Sequence, residues 1–348
     1  MTIALCVMLK NESGVIERLL DSCIGIINCV VVSDTGSTDN TKEIVTNWCE
    51  KNSLPLHYHH ELWVDFSSNR NLLLSVAKDH AEYLLLLDAD MVVSIKSEHP
   101  LDLNKTSYLL TYEGPQRYKQ KLLVAGGINW KYTGVTHEYI HSEDDVSESS
   151  LDALTIKHLA DGANRLTKFT RDIKLLTEEI GGDITGHSRE WFYLAQSYEC
   201  IGNTEAAILA YSIRAKQTDT WEEERWLSQF RASKLKLSVE CLLESWGQRQ
   251  HRAEPLFHIG MKYLDAKQYV LAEHFLRLAS AVASAGEWRN DVLFVDRWIY
   301  DYEIKFRLAI AMWWNGKKRQ AEIIFEELVN AVPDSYMESL KKNIYLCQ

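Results

Sequence analysis

Val30-Val31-Val32-Ser33-Asp34-Thr35-Gly36-Ser37-Thr38-Asp39-Asn40-Thr41 is the stretch that decides how the first half of the chain folds. Three valines in a row are stiff at χ1 and suit a pleated, buried strand. The run then ends on an acid and a turn. Gly36 permits a tight reversal, and Thr38 or Asp39 can cap the helix that follows, whose start is electropositive. Outward from this point, Ile3–Leu9, residues 54–59 and Tyr83–Leu87 also read as strands, continuously apolar or β-branched and bounded by polar turns. Residues 15–22, Thr41–Lys51 and residues 67–79 show helical spacing between them. Alternation at this pitch predicts parallel strands joined by right-handed crossovers, with ligands beyond the carboxyl ends of the strands. Asp34 and Asp88 fall at such ends.

The second informative run is Leu84-Leu85-Leu86-Leu87-Asp88-Ala89-Asp90-Met91. Two carboxylates after a buried strand are costly unless a cation or hydrogen-bond donors compensate them. In the turn after a strand both can reach one metal ion or its water shell. Asp88-Ala89-Asp90-Met91-Val92 also fits the start of a haloacid-dehalogenase-type phosphatase. Those enzymes carry the pattern on their first strand, whereas three strand candidates precede it here.

Further along, Ser107–Tyr112, residues 121–124 and residues 155–158 complete a mixed sheet, and residues 141–150 read as a polar loop. From about Asn164 strand signals vanish. Trp191, Leu194, Ala195, Tyr198, Gly202, Ala207 and Tyr211 match tetratricopeptide spacing. The pattern returns with Leu256, Gly260, Ala272 and Ala279, and again with Leu308, Ala309, Ala321 and Phe325. Such an array offers a surface for a partner, an acceptor or a second copy of the chain. The expected fold is therefore an α/β Rossmann-like domain over residues 1–160 and an all-α repeat domain over 161–348.

Composition narrows the class. The chain has 348 residues, 46% of them hydrophobic and 25% charged, which suits a globular protein of about two domains. No apolar run is long enough to span a bilayer, and the apolar opening reads as a buried strand rather than a signal peptide. Seven scattered cysteines without a C-x-x-C pair predict reduced thiols and a cytoplasmic setting. Residues 1–160 hold 13 Lys+Arg against 22 Asp+Glu, which is −9 of the total −11. That balance suits a divalent cation and argues against an unaided grip on nucleic-acid phosphates. His57-Tyr58-His59-His60 is read as a strand-edge feature, and Trp221, Trp226, Trp246, Trp298, Trp313 and Trp314 mostly as helix packing. Lys168 and Arg171 touch a diphosphate or solvate a helix face, the latter reading being preferred.

Lys10-Asn11-Glu12 after the first strand, Asp34-Thr35-Gly36-Ser37-Thr38-Asp39 after the second, Arg70-Asn71 and the D-x-D stand in the order that resembles family-2 glycosyltransferases of the GT-A fold. The resemblance continues through Trp63-Val64-Asp65-Phe66-Ser67 and Trp130-Lys131-Tyr132-Thr133-Gly134-Val135-Thr136-His137-Glu138. With Asp161-Gly162, Lys168-Phe169-Thr170-Arg171-Asp172 and the Trp191 segment, the layout is similar to that of bacterial enzymes that glycosylate peptide cysteines. It implies an inverting transferase that takes a sugar from a nucleotide-diphosphate donor, UDP-sugar favoured, with Mn²⁺ or Mg²⁺. Asp34 would then contact the base, with Asn11 or Glu12 in the same pocket and Arg70 near the base or diphosphate. Asp90 would bind the cation, Asp88 the ribose or the metal's water, and His137 would complete the metal shell. Glu138 would be the catalytic base alongside Asp90. The family's D-D before the glycine is Asp34-Thr35 here, and its acidic E-D acceptor motif is His137-Glu138. The acceptor class is left open among protein or peptide, glycan, lipid head group and modified nucleic acid. The competing readings are a binding scaffold with a vestigial nucleotide domain, a nucleotidyltransferase and the phosphatase.

Overall fold

The computed structural model describes residues 1–96, 101–113, 118–162, 168–218, 221–291 and 293–347. The chain divides into two compact units, Met1–Gly181 and Gly182–Gln348.

In the first unit β1 (Ile3–Leu9), α1 (Ile16–Ser22), β2 (Cys29–Asp34), α2 (Thr41–Lys51), β3 (Leu56–His60), α3 (Phe66–Ala77) and β4 (Tyr83–Leu87) alternate as expected. β1 lies between β2 and β4, β2 pairs with β3, and all these pairs are parallel. β1, β2 and β4 are buried on both faces. Leu5, Val7, Val30 and Val32 enter one core, while Ala4, Cys6 and Val31 enter the other, the period of two expected of a covered parallel sheet. The register sets Leu9 beside Asp34 and Val7 beside Leu87. The ends of β1, β2 and β4 therefore share one edge, and the acids at those ends converge.

The chain then adds β5 (Met91–Ile95), β6 (Ser107–Tyr112), β7 (Lys119–Ala125), the small hairpin of β8 (Lys131–Thr133) and β9 (Tyr139–His141), and β10 (Glu148–His158). The large sheet runs β3-β2-β1-β4-β7-β6-β10-β5. It is mixed, because β7 is antiparallel to β4 and β6, and β5 is antiparallel to β10. The polar stretch at 141–150 is not wholly a loop. Glu148, Ser149 and Ser150 pair with Ser107, Tyr108 and Leu109, a long-range pairing that an exposed polar sequence does not announce.

α4 (Lys168–Ile180) belongs to the first unit, so the division falls after it and not at residue 160. α4 buries Leu176 and Ile180 together with Asp172, whose Oδ1 accepts the Thr136 hydroxyl at 3.3 Å. The expected start of the helical region, near Asn164, lies outside the described residues.

The second unit holds α5 (Ser188–Cys200), α6 (Thr204–Lys216), α7 (Glu222–Lys236), α8 (Val239–Gln248), α9 (Glu254–Asp265), α10 (Tyr269–Ala285), α11 (Ile304–Trp314), α12 (Lys318–Glu327) and α13 (Asp334–Cys347). Each packs on the next in sequence from α5 to α11, apart from the 3₁₀ and π turns between α10 and α11, and onward to α13. The small residues of the repeat pattern, Ala195, Ala207, Ala272, Ala279, Ala309 and Ala321, are fully buried at helix contacts. Trp226 is buried, stacks on Phe230 and donates to the Ser245 carbonyl, as packing predicts. Trp246 and Trp313 donate to the carbonyls of Gln250 and Leu346. No helix among the described residues is long and apolar enough to cross a membrane.

Gly260 shows why the repeat needs small residues. A Cβ there would stand 2.6 Å from Leu276 Cγ and 2.9 Å from its Cδ2. Gly260→Ala should therefore destabilise the helical unit by about 1–3 kcal/mol, the scale of an overpacked contact. Urea denaturation followed by far-UV dichroism checks this, and an unchanged midpoint would mean that α9 and α10 separate without cost.

Candidate active site

Asp34 ends β2 and is buried. Its Oδ1 accepts the N–H groups of Gly36 (3.0 Å) and Ser37 (2.7 Å), and its Oδ2 accepts the Tyr58 hydroxyl (2.6 Å). Burial pushes its pKa up, but these donors outweigh burial and hold it below the ordinary carboxylate value. Asn11 sits in left-handed backbone (φ 57°). Its Oδ1 accepts the Thr38 N–H at 2.7 Å, and its own N–H donates to Ser37 Oγ at 3.0 Å. In this structure Asp34 and Asn11 thus build the turn over residues 36–38. The carbonyl of Glu12 accepts the first N–H groups of α1.

A cleft of about 350 Å³ opens at the carboxyl ends of β1 and β4, with Lys10, Glu12, Thr35, Trp63, Arg70, Asp88, Asp90, His158, Lys168 and Arg171 among its walls. Arg70 on α3 joins two of the expected residues. Its Nη2 donates to Asp88 Oδ1 at 2.7 Å and its Nε donates to Glu138 Oε1. The Tyr132 ring lies 5.5 Å from the guanidinium. Burial alone would lower the Arg70 pKa; the Asp88 and Glu138 carboxylates raise it well above its ordinary value. Lys168 and Arg171 also line the cleft, so they are more than a solvated helix face.

Asp90 turns the other way, toward a residue that the local sequence pattern does not single out. His158 Nε2 lies 3.2 Å from Asp90 Oδ2. The antiparallel register that sets His158 opposite Met91 brings the ring to the D-x-D turn. The available signal is its place as the last residue of an expected strand, but only the pairing with β5 shows where that strand ends. The hydrogen bond to Asp90 raises the His158 pKa above its ordinary value against burial. For Asp90 burial pushes upward, yet the His158 bond brings the carboxyl below its ordinary value.

His137 does not join this pair. Its Nε2 is 3.8 Å from Oδ2 of the buried Asp172, and the segment turns there through Gly134 (φ 105°) and His137 (φ 52°). Among the described residues no three His, Cys, Asp or Glu side chains gather to hold a metal ion. The expected trio of Asp88, Asp90 and His137 is not assembled, since Asp88 faces Arg70 and His137 faces Asp172. In the 57–60 segment, His57 stacks on His80 and Tyr58 serves Asp34, in keeping with a structural role.

Two measurements test this geometry. Replacing Arg70 with Met leaves Glu138, which is nearly buried, without its cation, and should cost on the order of 3 kcal/mol in urea denaturation. His158 should titrate above the ordinary histidine range in NMR and fall toward it in Asp90→Asn. The pair stabilises the fold fully below the unfolded histidine value of about 6.5, and this contribution fades as pH rises through the raised folded value. A His158 titration that ignores Asp90→Asn would mean the pair does not persist in solution.

A search of curated proteins finds no match. Among solved structures, the chain is similar to glucosyl-3-phosphoglycerate synthase from Mycobacterium tuberculosis, in complex with Mn²⁺, UDP and phosphoglyceric acid. That likeness is 19% identity with a TM-score of 0.21, over 26% of this chain and 34% of the synthase, so the chain spans about a third of it. S. aureus TarS 1-349 in complex with UDP is 13% identical, with a TM-score of 0.33 over 85% of this chain and 95% of TarS. A tetratricopeptide protein of Thermus thermophilus is 13% identical, with a TM-score of 0.34 over 52% of this chain and 91% of its own. The sequence itself matches the family model Glycosyl transferase family 2 over residues 4–98, which hold β1 to β4, the D-x-D and Arg70. The likeness to family 2 glycosyltransferases thus rests on the sequence of residues 4–98.

Proposed function

We propose that the first unit transfers a sugar, with inversion, from a UDP-sugar to an acceptor nucleophile with the help of Mn²⁺ or Mg²⁺. The observation that supports this reading best is the pair of opposed contacts at the D-x-D, Asp88 with Arg70 and Asp90 with His158. Both open into one cleft beyond parallel strand ends. Asp90 and His158 offer one carboxylate oxygen and one imidazole nitrogen. This donor set fits Mn²⁺, and Mg²⁺ if the remaining positions go to phosphate oxygens and water. His158 is therefore proposed in the place first given to His137, with Asp88 nearby as an outer contact. When bound, the ion supplies Lewis-acid stabilisation of the departing diphosphate.

The protein's own residues do the remaining work. Arg70, Lys168 and Arg171 place positive charge where the diphosphate develops negative charge. Asp34, Asn11 and Glu12 shape the nucleotide end, the first two by fixing the turn. Glu138 is proposed as the base: Arg70 holds its Oε1, and its other oxygen takes the acceptor proton as the nucleophile attacks opposite the leaving group.

Nucleotide sugars incubated with the protein and Mn²⁺ should be hydrolysed slowly, and faster once a productive acceptor is added. Asp90→Asn and excess chelator should each abolish turnover, while full activity in chelator would remove the cation from the mechanism. Glu138→Gln should cut turnover by about 10²–10⁴-fold with UDP affinity nearly unchanged. Loss of UDP binding in that variant would show that Glu138 works only by holding Arg70.

A further inference from the structure

Tyr112 and Tyr118 stack face to face, with ring centroids 4.4 Å apart and planes 11° from parallel. Tyr112 is buried, and its hydroxyl donates to Met91 Sδ at 3.6 Å. Tyr118 is 49% exposed, and its carbonyl accepts the Tyr112 N–H at 2.9 Å. An exposed aromatic ring is thus held from beneath by a buried one and by a backbone bond. Ordering a large apolar surface that stays about half exposed is what a stacking subsite requires.

The position in the sheet is specific. β7 runs antiparallel to β4 in the register Leu85 to Leu123, so β7 returns toward Lys119 as β4 advances to Asp88. Tyr112 pairs with Ile156, two residues before His158, and its ring lies 6.5 Å from the His158 ring. Burial, and after it the Asp88 carboxylate, push the Tyr118 phenol above its ordinary value, which agrees with this closeness. The platform therefore stands at the D-x-D end of the sheet. It lies on the β6–β7 side, away from the turn of Asn11 and Asp34.

We propose that Tyr118 is a specificity-determining platform for the acceptor and that the acceptor group it receives is a pyranose ring. This rests on the glycosyl-transfer reading above. A pyranose presents C–H groups on its faces and hydroxyls at its edge, and here the ring that backs the exposed plate meets the His158 imidazole while the Asp88 carboxylate acts on both phenols. A flat aryl ring would use the plate but not these polar neighbours.

The test uses the full chain with saturating UDP and Mn²⁺, and methyl glycosides of glucose, galactose and N-acetylglucosamine as probes in saturation-transfer NMR. At least one glycoside should bind with its ring C–H face saturated. Tyr118→Ala should weaken it by about 3- to 10-fold, and Tyr118→Phe should restore it. UDP affinity should be the same in all three proteins. UDP binding without any glycoside binding, or a Tyr118→Ala protein that binds the glycoside like wild type, overturns the platform and leaves the donor reading intact. Failure of UDP itself to bind overturns both.

Discussion

The guanidinium of Arg70 is the contact on which the cleft of the first unit depends. It lies between a carboxylate of the D-x-D and a carboxylate from the loop after β8, and the second, which is nearly buried, would be expensive without it. Its position is set by α3. Asp65 caps that helix by accepting the Ser68 N–H at 2.7 Å, which fixes where the helix begins. The next residue, Asn71, grips β8 from both sides of its amide: Nδ2 donates to the Tyr132 carbonyl at 2.9 Å and Oδ1 accepts the Tyr132 N–H at 2.7 Å. Two successive helix residues thus tie the D-x-D and the His137-Glu138 segment to one rigid element. Arg70 and Asn71 carry the charge and the register respectively, so neither substitutes for the other.

The same element shows what could be read before the fold was known. Strands β1 to β4 and their helices were legible because each is a local pattern, most plainly the valine run of β2 and the leucine run of β4, each followed by an acid. The placement of Asp88 and Asp34 at strand ends followed directly. The partners of those acids were not legible. Arg70 is 18 residues from Asp88 and 68 from Glu138. A spacing rule could mark it as a basic residue in a helix but not as a bridge. His158 and His137 make the same point in opposite directions. The family resemblance of the 130–138 segment put His137 in the metal shell, yet its ring faces Asp172. His158 carries only the signal of ending an expected strand, and the β10–β5 register brings it to Asp90.

The helical unit was legible for another reason. Its pattern is carried by small residues, and a missing side chain has a steric consequence that sequence spacing preserves. Ala195, Gly260 and Ala309 each lie where helices meet. What the spacing did not carry was the start of the repeat, since α4 has a helical pattern but belongs to the first unit, where Asp172, Leu176 and Ile180 are buried.

The Asp172 carboxylate also resolves a tension in the charge distribution. A half-chain with a net charge of −9 is a poor host for a diphosphate if charge is averaged over the domain. Averaging is the wrong measure, because a narrow cleft with low-dielectric walls is governed by the few charges that line it. There Lys10, Arg70, Lys168 and Arg171 stand against Glu12, Asp88 and Asp90. Two of the four cations come from α4, beyond residue 160. α4 is held by Asp172, whose Oδ1 takes Thr136 and Arg171 while its Oδ2 faces His137. Burial raises the pKa of this carboxyl, and the Arg171 and Lys168 charges oppose that shift. Asp172 and the cations of α4 therefore favour one another: their charges work against the rise that burial imposes on the carboxyl, and the Arg171 hydrogen bond ties one of them to it. Removing the acid would release the helix that makes an acidic domain locally hospitable to phosphate.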